Sequence, residues 1–254
     1  MTAQPAATTL LGSAFPENRW VEEHAARARE AAGKIGDVIF ELSMVFAEDQ
    51  PLIGIQQLYQ IAKSIPEQSA SYQGKVYQDE RWAARRGADD IYAVINFDVT
   101  KNFWYWAIRR NGDAYLAATI GSKSEAARLS IEEMLREFLA AVIHAREFAA
   151  RFVAAPKRSP ELLLRASVHG VAGRVLYGTD HRRAFPYHLE MYGYKTPLDR
   201  IDATIRTSVA ALQTNFRGVV DVFCGDLAAY FNFLTVPADY LDYAVEAIDK
   251  RTAG

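Results

Sequence analysis

The stretch from Ile91 to Gly121 constrains the fold most strongly, because it holds three apolar runs separated by two short polar segments. Asn111-Gly112 lies between the second and third runs. Asn-Gly is the pair most favoured in a two-residue β-turn, in which both residues take a positive φ angle. The stretch therefore predicts three antiparallel strands, the last two joined by a type I′ hairpin.

The register of this hairpin follows from the length of its turn. A two-residue turn places Arg110 opposite Asp113, so the first cross-strand pair carries opposite charges. Neither face of such a hairpin is polar, so we expect helices to cover both faces or one face to present an aromatic surface to a partner. The two faces would be Trp104, Trp106, Ile108 and Tyr115 on one side, and Phe103, Tyr105, Leu116 and Ile120 on the other.

The overall charge argues against two classes of partner. The chain of 254 residues has 29 Lys and Arg against 31 Asp and Glu, which gives a net charge of −2. This balance creates no overall field that would draw the protein to nucleic acid or to an acidic membrane.

The cysteine count and the N-terminal sequence bear on location. Cys224 is the only cysteine, so no intramolecular disulfide forms, and this fits a reducing compartment. The first fifteen residues contain no Lys or Arg, which argues against a secretory signal. The longest uncharged apolar-rich stretch, residues 227–238, is shorter than the roughly 20 residues that a transmembrane helix needs. We therefore expect a cytoplasmic protein without a membrane span.

Helical spacing dominates the sequence before the aromatic stretch. Residues 1–16 are small and polar and are expected to be a flexible leader. Apolar residues recur at helical spacing over residues 18–46, which predicts one kinked helix or two helices separated near Gly33. A further short helix is expected to end at Pro66. The polar residues 66–90 predict a long exposed connection.

A capping box marks the clearest helix of the chain. Ser130 and Glu133 are three residues apart, so the hydroxyl can accept from one free amide while the carboxylate reaches back to another. An apolar stripe continues from there to Val153. Pro156 and Pro160 end the segment and mark the one credible domain boundary. The side of the helix opposite the stripe holds Glu133, Glu137, His144, Glu147 and Arg151.

The second half of the chain begins with a predicted strand, Glu161 to His169, and a short strand that ends at Tyr177. Alternating apolar residues predict another strand over residues 185–194. Residues 198–208 predict a strand that turns into a helix near Val209, and that helix is expected to continue to Phe231.

These elements predict an α+β fold. Its antiparallel sheet would consist of the aromatic three-stranded meander and the later strands, covered by amphipathic helices. Residues 17–254 are expected to form a single domain, with a subdivision into 17–155 and 160–254 as the alternative.

Sequence signatures of catalysis and cofactor binding are lacking. The chain has no phosphate-binding loop, no Gly-x-Gly-x-x-Gly after a strand and no nucleophile elbow. No His-x-x-x-His or Cys-x-x-Cys spacing provides a zinc site. We therefore expect neither a cofactor nor a metal, and the balance lies against an enzyme.

A group of histidines gives the catalytic candidates. His188 and Glu190 are two residues apart, so on a strand they share one face and would act as a base and its orienting carboxylate. His169 approaches the same patch if its strand pairs with the one around Tyr187. The alternative is that these are ordinary histidines on a sheet surface.

Aromatic residues supply the candidate binding surfaces. On the hairpin these are Trp104, Trp106 and Tyr115. Near the histidines, Tyr187 and Tyr192 would line a pocket for a small molecule, with the rings buried and the hydroxyls orienting the ligand.

Three arginine pairs indicate a different surface, namely Arg85-Arg86, Arg109-Arg110 and Arg182-Arg183. Combined with the aromatic hairpin, they would suit single-stranded nucleic acid, which binds through base stacking and phosphate contacts. Against this, acidic residues outnumber basic ones, and adjacent arginines on a strand point to opposite faces.

The expected function is that of a non-enzymatic binding protein, an adaptor or sensor that recognises a partner protein or a small ligand. The missing catalytic motifs and the two apolar faces of the hairpin favour it. Two alternatives stay open: a small-molecule enzyme with acid–base chemistry at His188, Glu190 and His169, and a single-stranded nucleic-acid binding protein.

Overall fold

The computed structural model of the chain describes residues 16–33, 35–65, 84–97, 102–120, 127–153, 159–178, 192–233, 236, 238–239 and 241–242. The helices are α1 (Arg19–Ala32), α2 (Ile55–Ser64), α3 (Ile131–Phe152), α4 (Val209–Thr214) and α5 (Phe216–Ala229). The strands are β1 (Ile39–Phe46), β2 (Arg85–Arg86), β3 (Asp90–Phe97), β4 (Asn102–Arg109), β5 (Ala114–Thr119), β6 (Arg128–Ser130), β7 (Glu161–His169), β8 (Val175–Tyr177) and β9 (Arg200–Ser208).

Seven of these strands form one antiparallel sheet in the order β2-β3-β4-β5-β1-β7-β9. β6 and β8 pair in parallel as a separate two-stranded sheet. Strands from both sides of the predicted boundary at 156–160 belong to the large sheet, because β1 pairs with β7 along its whole length. Helices and an antiparallel sheet confirm the predicted α+β fold.

Helices cover both faces of the aromatic hairpin. α1 packs on one face, where it buries Phe103, Tyr105 and Tyr115. α2, α3 and α5 pack with the other face, which carries Trp104 and Trp106. The hairpin aromatics are thus part of two hydrophobic layers, one on each side of the sheet.

The hairpin between β4 and β5 differs from the predicted one by one residue in its register. Arg109 N donates to Asp113 O at 2.8 Å, so Arg109 rather than Arg110 lies opposite Asp113 and the loop has three residues. This shift moves Tyr115 to the face that α1 covers and Leu116 to the tryptophan face, because neighbouring strand residues point to opposite sides.

Asn111 explains why the loop is longer than predicted. Its Oδ1 accepts from Asp113 N at 3.1 Å, which is an Asx-turn, and its Nδ2 donates to Asp113 Oδ2 at 3.0 Å. Asn111 therefore acts through its side chain and does not take the positive φ of a type I′ turn. Gly112 alone in the loop has a positive φ, 89°, as in three-residue loops that end in a left-handed residue.

We expect Gly112→Ala to lower the free energy of unfolding by about 2 kcal/mol or more. A Cβ at this position would lie 2.6 Å from a ring carbon of Phe46 and 2.7 Å from one of Phe152, in addition to the positive φ. Urea unfolding measures the change. The control is Gly225→Ala in α5, where a Cβ would contact nothing within 4 Å and should be neutral or stabilising. Equal effects of the two substitutions on the free energy of unfolding would contradict the positive φ and the close ring contacts of Gly112.

The prediction that residues 18–46 are helical is wrong in its second half. α1 ends at Ala32, and residues 39–46 form β1, which lies inside the sheet between β5 and β7. Every residue of β1 is buried, and Glu41 and Ser43 are the only polar residues among its eight, so the apolar–polar alternation of the strand is short. Its apolar residues fall by chance in the helical spacing set by α1.

α3 begins as predicted but is more deeply buried than expected. Ser130 Oγ accepts from Glu133 N at 3.2 Å and caps the helix. The helix contacts the sheet as well as α2, α4 and α5, so its predicted polar side is partly covered. Glu137 and His144 are buried there, and burial raises the pKa of Glu137.

The C-terminal elements follow the prediction with one difference. β9 turns directly into α4 at Val209, as expected. The helix does not continue unbroken to Phe231, because it is interrupted at Asn215, where the backbone leaves the helical region with φ −131° and ψ 40°. The predicted leader and most of the predicted strand over 185–194 lie outside the described residues.

Candidate functional site

A cleft of about 620 Å³ opens at the β2 end of the sheet. Its size falls within the range typical of small-molecule sites. The start of α2, the strands β2 and β3 and the hairpin loop form its walls. We call it the arginine cleft; its lining residues are Gly54, Ile55, Gln56, Tyr59, Ala84, Arg86, Ile91 and Arg110.

Hydrogen bonds to backbone groups, two from backbone amides and one from the Arg110 side chain, hold the walls of the arginine cleft together. Ile53 N donates to Arg110 O at 3.0 Å, and Arg110 Nε donates back to Ile53 O at 2.7 Å, which ties the segment before α2 to the hairpin loop. Arg110 N donates to Asp89 O at 3.1 Å and so joins the loop to the β2–β3 turn. Arg86 pairs with Ile91 across β2 and β3. Both arginines of the cleft therefore stand on backbone that is fixed in place.

The charges around the cleft are unbalanced. The carboxylate of Asp89 serves two arginines, with Oδ2 2.8 Å from Arg109 Nε and Oδ1 4.0 Å from Arg110 Nη1. Among the described residues, no carboxylate pairs with Arg86, whose side chain is exposed. Asp89 thus pairs with two guanidinium groups, while the described lining of the cleft contains Arg86 and Arg110 and no carboxylate, which leaves a local excess of positive charge.

The first turn of α2 adds to this positive field. Its N-cap is Gly54, which offers no side-chain oxygen, and the turn contains no acidic residue. The first amides of a helix have no partner within the helix and carry partial positive charge, so they favour an anion. Side-chain guanidinium groups and backbone amides therefore surround the same space.

The rest of the lining is apolar or neutral. Ile55, Ala84 and Ile91 contribute aliphatic surface, and the ring of Tyr59 lies half-buried beside them. The described lining has no histidine, cysteine, serine or carboxylate that would act as a nucleophile or base. This set of groups can hold an anion attached to an apolar body, and it supplies no evident acid–base chemistry.

A buried polar network lies on the other face of the sheet, under α1. Trp20 Nε1 donates to Asp90 Oδ2 at 2.7 Å, and His24 Nε2 lies 3.0 Å from the same oxygen. His24 Nδ1 is 2.5 Å from the hydroxyl of Tyr105. Burial acts to raise the pKa of Asp90, but the hydrogen bonds from His24 and Trp20 outweigh it, so this pKa lies below its ordinary value. The network fastens α1 to β3 and β4.

His169 is the one catalytic candidate within the described residues, and its partner differs from the predicted one. Its Nε2 lies 3.3 Å from Oε2 of the buried Glu41, whose Oε1 is 3.5 Å from Arg29 Nε. His169 thus engages its Nε2 with a carboxylate inside the protein, where it helps to join β1, β7 and α1. The predicted partners His188 and Glu190 lie outside the described residues.

The predicted aromatic binding residues take different positions. Trp104, Trp106 and Tyr115 are 7%, 1% and 0% exposed, so these side chains form core rather than surface, because helices cover both hairpin faces. The same burial removes them from any stacking surface for nucleic acid. Tyr192 is 64% exposed and stacks on Tyr194, while Tyr187 lies outside the described residues.

The arginine cleft was only partly foreseeable from sequence. The pairs Arg85-Arg86 and Arg109-Arg110 are visible there, but not their approach to α2. The sequence signal for the cleft is Gly54 before a helix whose first turn has no acidic residue. The partial positive charge at the start of this helix is therefore not offset by a capping side chain or a carboxylate.

Two other kinds of feature, a metal site and a membrane-spanning helix, are lacking in the described part of the chain. No group of three or more His, Cys, Asp or Glu side chains there is arranged to bind a metal ion. No helix there has the length and apolar character needed to cross a bilayer. Comparison with protein families, curated proteins and solved structures found no match to this chain.

Proposed function

We propose that the protein is a non-enzymatic binding protein that holds a small anionic ligand in the arginine cleft. The observation that carries this proposal is the meeting of Arg86, Arg110 and the uncapped start of α2 around one cleft of about 620 Å³. Guanidinium groups and helix N-terminal amides are the groups that proteins use to hold phosphate and carboxylate.

The ligand is expected to combine the anionic group with an apolar or aromatic body. Tyr59, Ile55 and Ile91 offer a surface for such a body next to the arginines. The role of a sensor or carrier fits this arrangement better than catalysis, because the described lining holds binding groups and no reactive side chain. A cytoplasmic location would give such a protein access to anionic metabolites.

We expect Arg86→Gln to weaken ligand binding about tenfold, since it removes one charge-assisted contact while keeping an uncharged polar side chain at this position. The probe is 8-anilinonaphthalene-1-sulfonate, an aromatic anion, followed by its fluorescence and displaced by inorganic pyrophosphate. Arg85→Gln is the matched control, because Arg85 is equally exposed on the same short strand but does not line the cleft.

Three outcomes decide the proposal. Specific loss of displaceable binding in Arg86→Gln, with Arg85→Gln unchanged, supports it. Equal loss in both variants would indicate a general charge effect on the surface and would contradict a defined site. Binding that pyrophosphate does not displace, or that both variants retain, would likewise contradict it.

A further inference from the structure

β9 forms the edge of the sheet opposite the arginine cleft and is nine residues long. Its pairing with β7 shows which backbone groups face outward. Gly170 N donates to Asp199 O at 2.8 Å, and Val209 N donates to Pro160 O at 3.2 Å, so the odd-numbered positions of this strand bond to the β7 side. In an antiparallel pair the hydrogen-bonded positions alternate, so the even-numbered residues direct their N–H and C=O groups away from β7.

The outward positions form an open row of donors and acceptors. These residues are Arg200, Asp202, Thr204, Arg206 and Ser208. Among the described residues, no backbone or side-chain group outside β9 bonds to the outward amides and carbonyls of residues 200–206. Ser208 is the N-cap of α4, so its carbonyl belongs to the first turn of that helix. Their side chains share the face of the sheet opposite α5, while Ile201, Ala203 and Ile205 are buried on the α5 side. A free edge of this length is suited to pairing with another strand.

The sequence of β9 is complementary to itself when it is read in the opposite direction. With Thr204 at the centre, Asp202 lies opposite Arg206 of a second copy, and this pair occurs twice because of the symmetry. Opposite charges directly across a strand pair are stabilising. All five outward residues fall on hydrogen-bonded positions in this register, which gives about eight backbone hydrogen bonds once the two Ser208 carbonyls, each used by α4, are left out.

We propose that β9 pairs with β9 of a second copy of this chain, antiparallel about a two-fold axis at Thr204, so that the two sheets become continuous. Other registers lose the two Asp202–Arg206 pairs, and slips in one direction also bring like charges together. A slip of two residues one way sets Arg200 opposite Arg206, and a larger slip the same way sets Asp202 opposite itself. The favoured register is also the one that overlaps the whole strand.

The salt bridges within one chain fit this pairing. Arg206 contacts Glu161 of β7, and Asp202 Oδ1 lies 2.8 Å from Arg200 Nη2 and 2.5 Å from Ser167 Oγ. Pairing therefore extends a network of alternating charges already present on β7 and β9. Because β9 and β2 are opposite ends of the sheet, this interface leaves the arginine cleft open.

The test is the molar mass of the full chain in solution by light scattering after size exclusion, at about 0.1 mM, together with the dimer Kd by sedimentation. We expect twice the chain mass of 28.4 kDa. Thr204→Pro should weaken the dimer at least tenfold. It removes an outward-facing N–H and none of the β7–β9 hydrogen bonds, and proline is tolerated at such edge positions.

A charge exchange tests the register. Recovery of the dimer in the double variant would show that the single variant lost it through charge repulsion and not through misfolding. Asp202→Arg alone sets arginine opposite Arg206 in both pairs and should weaken the dimer at least tenfold. The double variant Asp202→Arg/Arg206→Asp restores opposite charges and should recover most of the affinity. Glu30→Arg, the same change of charge on an exposed position of α1, should leave the mass unchanged.

A monomeric wild-type chain would overturn the proposal. So would a dimer that Thr204→Pro leaves as tight as before, or a double variant that dimerises no better than Asp202→Arg alone. Circular dichroism of each variant shows whether the chain is folded, so that loss of the dimer counts only in folded protein.

Discussion

Replacing Trp106 by alanine is expected to lower the free energy of unfolding by about 3–5 kcal/mol. Its side chain is 1% exposed in β4, with Ala93 and Leu116 opposite it on the neighbouring strands. Truncation removes a large apolar group from water-free surroundings and leaves a cavity that the strands cannot close. The size of the effect follows from the position of Trp106 inside the sheet, on a strand that pairs with β3 on one side and β5 on the other.

Urea unfolding followed by far-ultraviolet circular dichroism measures this change. Tyr192→Ala is the control, because this ring is 64% exposed and its loss should change the free energy of unfolding by less than about 0.5 kcal/mol. If Trp106→Ala kept the stability of the wild type, the hairpin would be a surface feature and the assignment of its tryptophans to the core would be wrong.

The second large effect is a loss of stability in mild acid that depends on His144. Burial lowers the pKa of His144 from 6.5 to about 4, Glu147 acts to raise it and Arg151 to lower it. Because the folded pKa lies below the unfolded one, the unfolded chain binds the proton first as the pH falls. Stability from this group is therefore complete above pH 6.5 and is lost between about pH 6.5 and 4.

The expected loss from His144 is about 2 kcal/mol between pH 7 and pH 5, and about 3 kcal/mol below pH 4. Urea unfolding of the wild type and of His144→Gln at pH 7 and pH 5 measures it as a difference, which removes the contributions of other groups. The variant should lose about 2 kcal/mol less than the wild type over this interval. The same pH dependence in both chains would show that His144 titrates normally in the folded protein.

The hairpin shows how far local sequence determines local structure. Three antiparallel strands at Ile91–Gly121 follow from apolar runs and a turn pair, and all three form. The register does not follow, because Asn111 can supply either a positive φ or an Asx-turn, and both are common uses of this residue. Asp113 decides between them. It is buried and also accepts from Phe46 N at 3.3 Å on the neighbouring strand β1, a contact that only the folded chain provides.

β1 illustrates a second limit. A strand with neighbours on both sides and helices on both faces is buried throughout, so the spacing of its apolar residues is a weak guide for distinguishing it from a buried helix. Residues 39–46 are such a strand: Glu41 and Ser43 are its only polar residues, and the helical spacing of α1 continues into it. By contrast, β7 and β9 have one face with polar residues, and both were predicted close to their observed bounds.

The arginine cleft depends on contacts between distant parts of the chain. Arg86, Arg110 and the start of α2 are separated by more than twenty residues from one another in sequence. Their approach depends on the mutual hydrogen bonds of Ile53 and Arg110 and on the pairing of β2 with β3. No local pattern encodes those contacts. The arginine pairs and the missing side-chain cap of α2 are the only features of the cleft that are visible in the sequence.

The measurement that tests the ligand site most directly is the map of amide chemical-shift changes when 8-anilinonaphthalene-1-sulfonate and then pyrophosphate are added to isotope-labelled protein. We expect the largest changes at the amides of Ile55, Gln56 and Gln57, and at Arg86 and Arg110, and we expect these changes to be lost in Arg86→Gln. Changes concentrated elsewhere, for instance around Glu41 and His169, or changes that Arg86→Gln leaves intact, would contradict it.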